Sequence, residues 1–404
     1  MTDLSPLAQR LSIAVAVAST ALVAMAAGLL APVFAIQLDG RGHDSATVGI
    51  FAATGSLAVM AGASLAPRAL ARFGTVAILR AALVAIVIAT LIYGLTQNLA
   101  VWFALRLLMG LGAGAQWVTA ETWLIRLARP DRRGRIMAVY VATTTASFAA
   151  GPILAGMIGT AGAVPFLAAA ALAGVAACVL SVGWRLLPAL PVAERTGIFA
   201  SLRSNPLPML VAFVGGINDM AMIALAPLYG LHAGYAEGAS ALLVTAYTVG
   251  AVALQFPIGW LADRSSRTVL LWLFLGACAT GALLLPMLHG TAVIWPLFAL
   301  WGGLSFGLYT VALTTLASRL PMAALAGANA AFVAAYQLGS VSGPAISGAA
   351  MERFGPQGLP TTLLLIDVAC LIVVLVAELR RRNDMRKRRR IAPAPSLEKR
   401  NRQA

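Results

Sequence analysis

Long apolar runs alternate with short polar breaks along the whole chain. Twelve of these runs come close to or exceed the ~20 residues that a helix needs to cross a bilayer core. They cover 11–37, 45–66, 75–96, 99–125, 135–159, 163–187, 207–231, 238–261, 268–288, 291–317, 324–351 and 359–379. The expected architecture is therefore an all-α membrane protein with twelve transmembrane helices. A buried soluble core is the competing explanation. It fails because the chain is 60% hydrophobic and 11% charged, too little polar surface to face water on all sides.

The pattern repeats. Leu30-Ala-Pro-Val-Phe34 in the first run matches Leu225-Ala-Pro-Leu-Tyr229 in the seventh. At the same offset Ser45 matches Ser240 and Gly55 matches Gly250. The offset then shortens by three residues, and Gly110 matches Gly302 while Gly151-Pro152 matches Gly343-Pro344. Matches held in register across two offsets predict two six-helix, pseudo-symmetric halves. The expected boundaries are 1–187 for the N-terminal half, 188–206 for a cytoplasmic linker, 207–379 for the C-terminal half and 380–404 for a basic cytoplasmic tail. Pro188 and Pro191, with Glu194, Arg195 and Ser204, give the linker its polar, broken character.

The net charge of +15 is sorted by side. Arg68, Arg72, Arg132, Arg133, Arg264, Arg267 and Arg319 are among the cations at one set of alternating loops, and the opposite loops hold only Arg41 and Arg353. Positive loops stay in the cytoplasm, so both termini are expected inside, with the chain multi-pass in the cytoplasmic (inner) membrane. The excess charge thus implies no nucleic acid. The cluster from Arg380 to Arg390 is expected to anchor the topology and to form a disordered tail touching anionic lipid. Ala24-Met-Ala26 mimics a cleavage site, but the first run is too long for a signal peptide and is read as an uncleaved span. Cys178, Cys278 and Cys370 each sit alone within a run and imply neither disulfide nor metal.

Several stretches carry mechanism. The turn Gly259-Trp-Leu-Ala-Asp-Arg-Ser-Ser-Arg267 lies between the eighth and ninth runs. It resembles motif A of the major facilitator superfamily (MFS), with Ser266 in place of the second Gly. The resemblance implies a gate in which Gly259, Asp263, Arg264 and Arg267 act, Asp263 facing the start of span 5 while the cytoplasmic side is shut; a solvated turn with the usual loop charge is the alternative. The N-half counterpart, Pro67-Arg-Ala-Leu-Ala-Arg-Phe-Gly74, is degraded, since Ala71 stands where the Asp belongs. Arg106-Leu-Leu-Met-Gly-Leu-Gly resembles motif B. Arg106, Gly110, Trp117 and Glu121 fall within a helical stripe about 60° wide. The family likeness places that stripe on the central cavity and gives Arg106 a part in proton coupling. Arg106 could instead be pinned to backbone carbonyls, and Glu121 could pair with Arg126 at the surface. Ser147-x-x-x-Gly-Pro-x-x-Ala-Gly156 resembles motif C of the antiporter branch, and Gly339-x-x-x-Gly-Pro-x-x-Ser-Gly348 echoes it. Gly151, Pro152, Gly343 and Pro344 are then hinge candidates, or serve tight packing alone. Trp117, Leu308-Tyr309, Asn329 and Tyr336 add a likeness to a poorly characterised bacterial branch of the family.

Asp219, beside Asn218 near the middle of span 7, is a carboxyl in hydrocarbon. It either takes up and releases a proton during transport or stays neutral and hydrogen-bonded to a neighbouring helix. Asp367 in span 12 is expected to be structural. Trp117, Asn218, Trp301 and Tyr309 are candidates for the substrate cavity, with Gln116, Gln255, Asn329 and Gln337 weaker ones. His43, His232 and His289 are too scattered for a metal site or catalytic triad, and there is no P-loop. An enzyme and an ATP-driven pump are thereby set aside, and no cofactor is expected. The expected function is secondary active transport of a small molecule by alternating access, coupled to protons, in the direction of efflux, by a monomer. The alternative is a transporter-like sensor or assembly protein that binds a ligand without moving it, for which Ala71 speaks.

The loop charges make a first testable claim. A reporter that works only outside the cytoplasm should be active when fused after Asp39 or Gly290 and silent after Arg132 or Arg382. The opposite pattern would overturn the assignment of sides.

Overall fold

The computed structural model describes residues 6–127, 133–183, 206–288, 290–317 and 322–391. Among them are twelve long α-helices. The first half comprises α1 (Pro6–Gly40), α2 (Ser45–Phe73), α3 (Thr75–Tyr93), α4 (Leu99–Leu127), α5 (Arg133–Ile158) and α6 (Val164–Gly183). The second comprises α7 (Pro206–His232), α8 (Glu237–Arg264), α9 (Arg267–Leu288), α10 (Ile294–Ala317), α11 (Met322–Phe354) and α12 (Gly358–Ile391). Nearly all of the expected linker lies outside the described residues. Only a 3-10 turn, Gly355–Gln357, separates α11 from α12, so the apolar stretch Ala331–Leu379 contains parts of two helices.

Hydrocarbon offers the backbone no hydrogen-bonding partner, so an apolar run must close its own bonds and form a helix. The observed helices overshoot several of the apolar runs because hydropathy reads only the part in lipid. The largest overshoot is α12, whose helical backbone reaches Ile391 rather than stopping near residue 379. The basic residues there are good helix formers and continue the winding beyond the apolar segment.

The repeat is visible in the packing. In the first half α1 packs on α5, α2 on α4 and α3 on α6; in the second α7 packs on α11, α8 on α10 and α9 on α12. Matching glycines make matching contacts. A Cβ on Gly110 of α4 would collide with Ala58 and the Gly55 carbonyl of α2, and one on Gly302 of α10 would collide with the Tyr247 carbonyl of α8. Gly151 rests on the α1 backbone at Leu29, as Gly343 rests on the α7 backbone at Ile217. These motif C positions weld helices within each half. Both copies of the Leu-Ala-Pro segment place a proline inside a helix, Pro32 in α1 and Pro227 in α7.

The halves meet at the end that holds the arginine-poor loops. Gly49 of α2 lies on the Pro344 carbonyl of α11, and Gly348 of α11 lies on the Ser45 carbonyl of α2. The Ser45 amide donates to Glu352 at 3.1 Å. Thr160, after α5, donates to Glu237 at the start of α8. His232 Nε2 lies 2.8 Å from Asp39 Oδ1. Slightly deeper, Thr245 of α8 donates to the Ala149 carbonyl of α5 at 3.2 Å. At the same face Asp44 caps α2 by accepting from Thr47, and that hydrogen bonding holds its carboxyl below the usual range.

Close backbone contact at Gly49 makes the seal testable. Gly49→Val should wedge α2 away from α11. A cysteine placed at Ala52, buried just beneath, should then react several-fold faster with an impermeant thiol reagent in a background without the native cysteines. Unchanged reactivity would show that the contact is not the seal.

Candidate functional site

Asp219 sits at the midpoint of α7 and is 1% exposed. Its Oδ1 accepts from Tyr247 of α8 and Ser305 of α10, each at 2.7 Å, and its Oδ2 accepts from Tyr336 of α11 at 2.9 Å. Three helices thus supply three hydroxyls to one carboxyl. Charge-assisted bonds of this kind are what an ionised carboxylate needs in a dry core. A hydroxyl can also turn and accept, so the same cradle can hold the protonated acid. Tyr336 is half-buried, and its ring meets Tyr309 edge-on at 5.2 Å. Tyr309 in turn lies within electrostatic reach of Glu121, across the space between the halves.

Asn218 was expected to face the cavity, but it is fully buried inside the second half. Its amide nitrogen donates to Asp367 of α12 at 2.8 Å, and its oxygen accepts from Trp301 Nε1 at 3.3 Å. Trp301, another expected cavity residue, is 2% exposed and packs beside Phe298 and Gly281. A Trp ring and an amide that satisfy each other gain nothing from facing a ligand, so both serve the core. Asp367 is drawn into the same network. Its Oδ2 is buried without a hydrogen-bond partner.

Arg106, eight residues into α4, sits far from this network in chemical terms. Its guanidinium lies over Gly55, where any side chain would clash. The rings of Phe34 and Phe51 lie 4.9 and 5.3 Å from Cζ. Its Nε is buried without a partner. No carboxylate pairs with it among the described residues, and Asp219 is not among its neighbours. Arg106 and Asp219 do not approach each other in this conformation. Each charge belongs to its own half. Arg106 lines a cavity of about 40 Å³ with Ala31, Phe34, Ala35, Val48, Phe51 and Ala52 from the first half, and Met220, Ile223 and Ala224 from α7.

Glu121 accepts a 2.6 Å hydrogen bond from Trp117 Nε1, one turn away, and Trp117 is 44% exposed. The side chain of Arg126, its other expected partner, lies outside the described residues, as does that of Asp263. The rest of the motif A turn is visible. Arg264 lies over the Trp260 ring at 4.4 Å, and Arg267 donates to the Thr314 carbonyl of α10 at 3.1 Å. Nothing lies within 4 Å of where a Gly259 Cβ would be. No close helix approach is made at Gly259, and the halves touch at the opposite end.

Three partners of Asp219 carried no role in the sequence. Tyr247, Ser305 and Tyr336 are ordinary polar residues within apolar spans. The spans that face α7 hold several hydroxyls each, and which of them turns inward is not readable without the packing.

A model of the Major Facilitator Superfamily matches residues 16–328 and, in a second alignment, 208–403. The chain belongs to the major facilitator superfamily. Relatives agree. The uncharacterized MFS-type transporter YfkF of Bacillus subtilis is 24% identical over 345 residues, 82% of this chain and 86% of that protein. The uncharacterized MFS-type transporter YcaD of Escherichia fergusonii is 28% identical over 283 residues, 68% of this chain and 72% of that one. Among solved structures, a mutant form of the nucleoside transporter NupG superposes with a TM-score of 0.79 at 12% identity, covering 91% of this chain and 99% of that chain. A bacterial homologue of the human lysosomal transporter Spinster, captured inward-facing and unoccupied, gives 0.75 at 13% identity, covering 92% and 96%. At these identities the structural likeness shows the fold alone. This MFS chain is a multi-pass membrane transporter, not an enzyme.

The buried network predicts a stability effect. Asn218→Ala removes the one donor to Asp367 and should cost about 1–3 kcal/mol, seen as a lower melting temperature in detergent. Adding Asp367→Leu should recover part of the loss, because the orphaned carboxyl goes with it. Strictly additive losses would show that the two side chains do not depend on each other.

Proposed function

We propose that this transporter is a proton-coupled secondary carrier that works by alternating access and exports a small molecule. It acts as a monomer in the cytoplasmic membrane, with both termini inside and its basic C-terminal residues against anionic lipid. Residues 1–187 and 207–379 form the two rocking halves, joined by the linker at 188–206. The conformation described is then inward-facing. Its seal is at the arginine-poor end, and that end is outside if positive loops stay in the cytoplasm.

The observation that carries proton coupling is the hydroxyl cradle of Asp219. A coupling carboxyl must be stable both charged and neutral, and three rotatable hydroxyls allow that without repacking. Tyr247 on α8, Ser305 on α10 and Tyr336 on α11 face it directly, while Cys278 on α9 lies close by and Asp367 on α12 is linked through Asn218. Among the described residues no cation opposes it. Tyr336 and Tyr309 lead from the cradle to the inter-half space at Glu121 and Trp117, the route on which a proton can leave. Asp263 would close the inner gate on α5 when the halves rock. Efflux is favoured by the antiporter-like Gly151-Pro152 segment. Ala71, in the place of the first-half gate Asp, favours the second reading, a ligand sensor without net transport; solute counterflow in vesicles separates the two.

Asp219→Asn should keep substrate exchange but abolish accumulation driven by an imposed pH gradient. Asparagine keeps the shape and can fill the cradle but cannot carry the proton. A variant that still concentrates substrate at the parental level would remove Asp219 from the mechanism and leave Glu121 as the remaining carboxyl of the cavity.

A further inference from the structure

The cavity beneath the closed end contains one polar group, the guanidinium of Arg106. Every other lining residue from α1, α2 and α7 is apolar. Arg106 cannot escape its burial by losing a proton. Nor, among the described residues, does a carbonyl or carboxylate bond it: Nε is partnerless, and Tyr93 is the one titratable group within electrostatic reach. Gly55 beneath and the Phe34 and Phe51 rings alongside fix the plane of the guanidinium. A structural arginine would be expected to end in hydrogen bonds to the protein. This one ends in an apolar chamber that both halves share.

We propose that Arg106 and this cavity bind the carboxylate head of an organic acid with an apolar body. A single guanidinium neutralises a single negative charge, and its planar fork matches the two oxygens of a carboxylate. A dianionic phosphate would be left half-neutralised among Phe34, Phe51 and Met220. The cavity has room for a head group only, so the body extends from it along the inter-half space. Because Met220, Ile223 and Ala224 belong to α7, a ligand seated on Arg106 touches both halves and stands one residue from Asp219. Organic acid and proton would then share one switching element, α7.

The proposal rests on the transport reading for its meaning, but binding can be measured without transport. The full-length protein in detergent is titrated with benzoate and hexanoate, with benzamide and hexanol as neutral counterparts, and with chloride and phosphate. Melting temperature and isothermal titration are read. At least one carboxylate should bind saturably and raise the melting temperature, and the neutral compounds and inorganic anions should not. Arg106→Gln should weaken that binding at least about tenfold, as expected for loss of a charge-assisted pair. Gly55→Ala keeps the charge but displaces the guanidinium, and should weaken binding too; it decides the matter if Arg106→Gln does not fold. The proposal falls if neither carboxylate binds, if neutral compounds or chloride bind as well, or if the folded variants bind like the parent. Arg106-dependent binding with no carboxylate flux in vesicles would overturn the transport reading instead, and leave the site standing.

Discussion

A charge in hydrocarbon must have company, and the two halves of this protein provide it unequally. Taking an ion out of water costs several kcal/mol even after the surroundings relax. In the second half Asp219 has three hydroxyl donors from three helices. Hydrogen bonds to a charged group contribute about 1.5–3 kcal/mol each, so three can offset the burial. In the first half Arg106 has two ring contacts at 4.9 and 5.3 Å and no hydrogen bond from Nε. Cation–π attraction reaches ~2 kcal/mol in a desolvated site, and neither ring is at the closest range. The second-half charge is settled within its own bundle, whereas the first-half charge is left facing the space between the bundles.

That difference matters for the rocking proposed above, in which each half moves as a body. Gly110 against α2, Gly302 against α8, Gly151 against α1 and Gly343 against α7 bring helices into close contact within a half. Such contacts leave little room to slide, since interiors packed this closely change by steps rather than by bending. Between the halves the backbone contacts recorded are at one end, around Gly49 and Gly348 and where Gly156 faces Gly238. That seal is tight, since α2 packs extensively on α11 and α5 on α8. The proposed rocking would part this seam and leave each body intact.

The fold was legible because lipid makes hydropathy a strict rule. Twelve apolar runs became twelve helices, and the Leu-Ala-Pro and Gly-Pro repeats became equivalent helix pairs. Site geometry was legible only in part. Asp219 and Arg106 stood out as charges in apolar text, which is a signal about cost, and cost does not say where a side chain faces. Trp301 and Asn218 therefore looked like cavity residues and prove to be each other's partners. Asp367 looked remote because α12 is peripheral, yet a helix at the edge of a bundle still has an inner face, and Asn218 reaches it. Tyr247 and Ser305 carried no mark at all, and Tyr336 stood out only through the family likeness. A hydroxyl is cheap in a membrane helix, where it can bond its own backbone, so its presence announces nothing.

The repeat itself shows where the halves have parted. At the offset that aligns Gly110 with Gly302, the counterpart of Arg106 is Phe298; at the offset that aligns Leu30 with Leu225, the counterpart of Asp219 is Ala24. Phe298 is fully buried beside Trp301, an ordinary core position. The glycines that hold helices together are kept in both copies, and the charges are not. Packing can be symmetric because both bundles solve the same problem of filling space in lipid. Coupling cannot be. Two like charges at matching positions would repel across the midplane. With Arg106 in the first half and Asp219 in the second, neither in an ion pair among the described residues, the proposed carrier has a place for an anionic guest and a place for a proton on either side of α7.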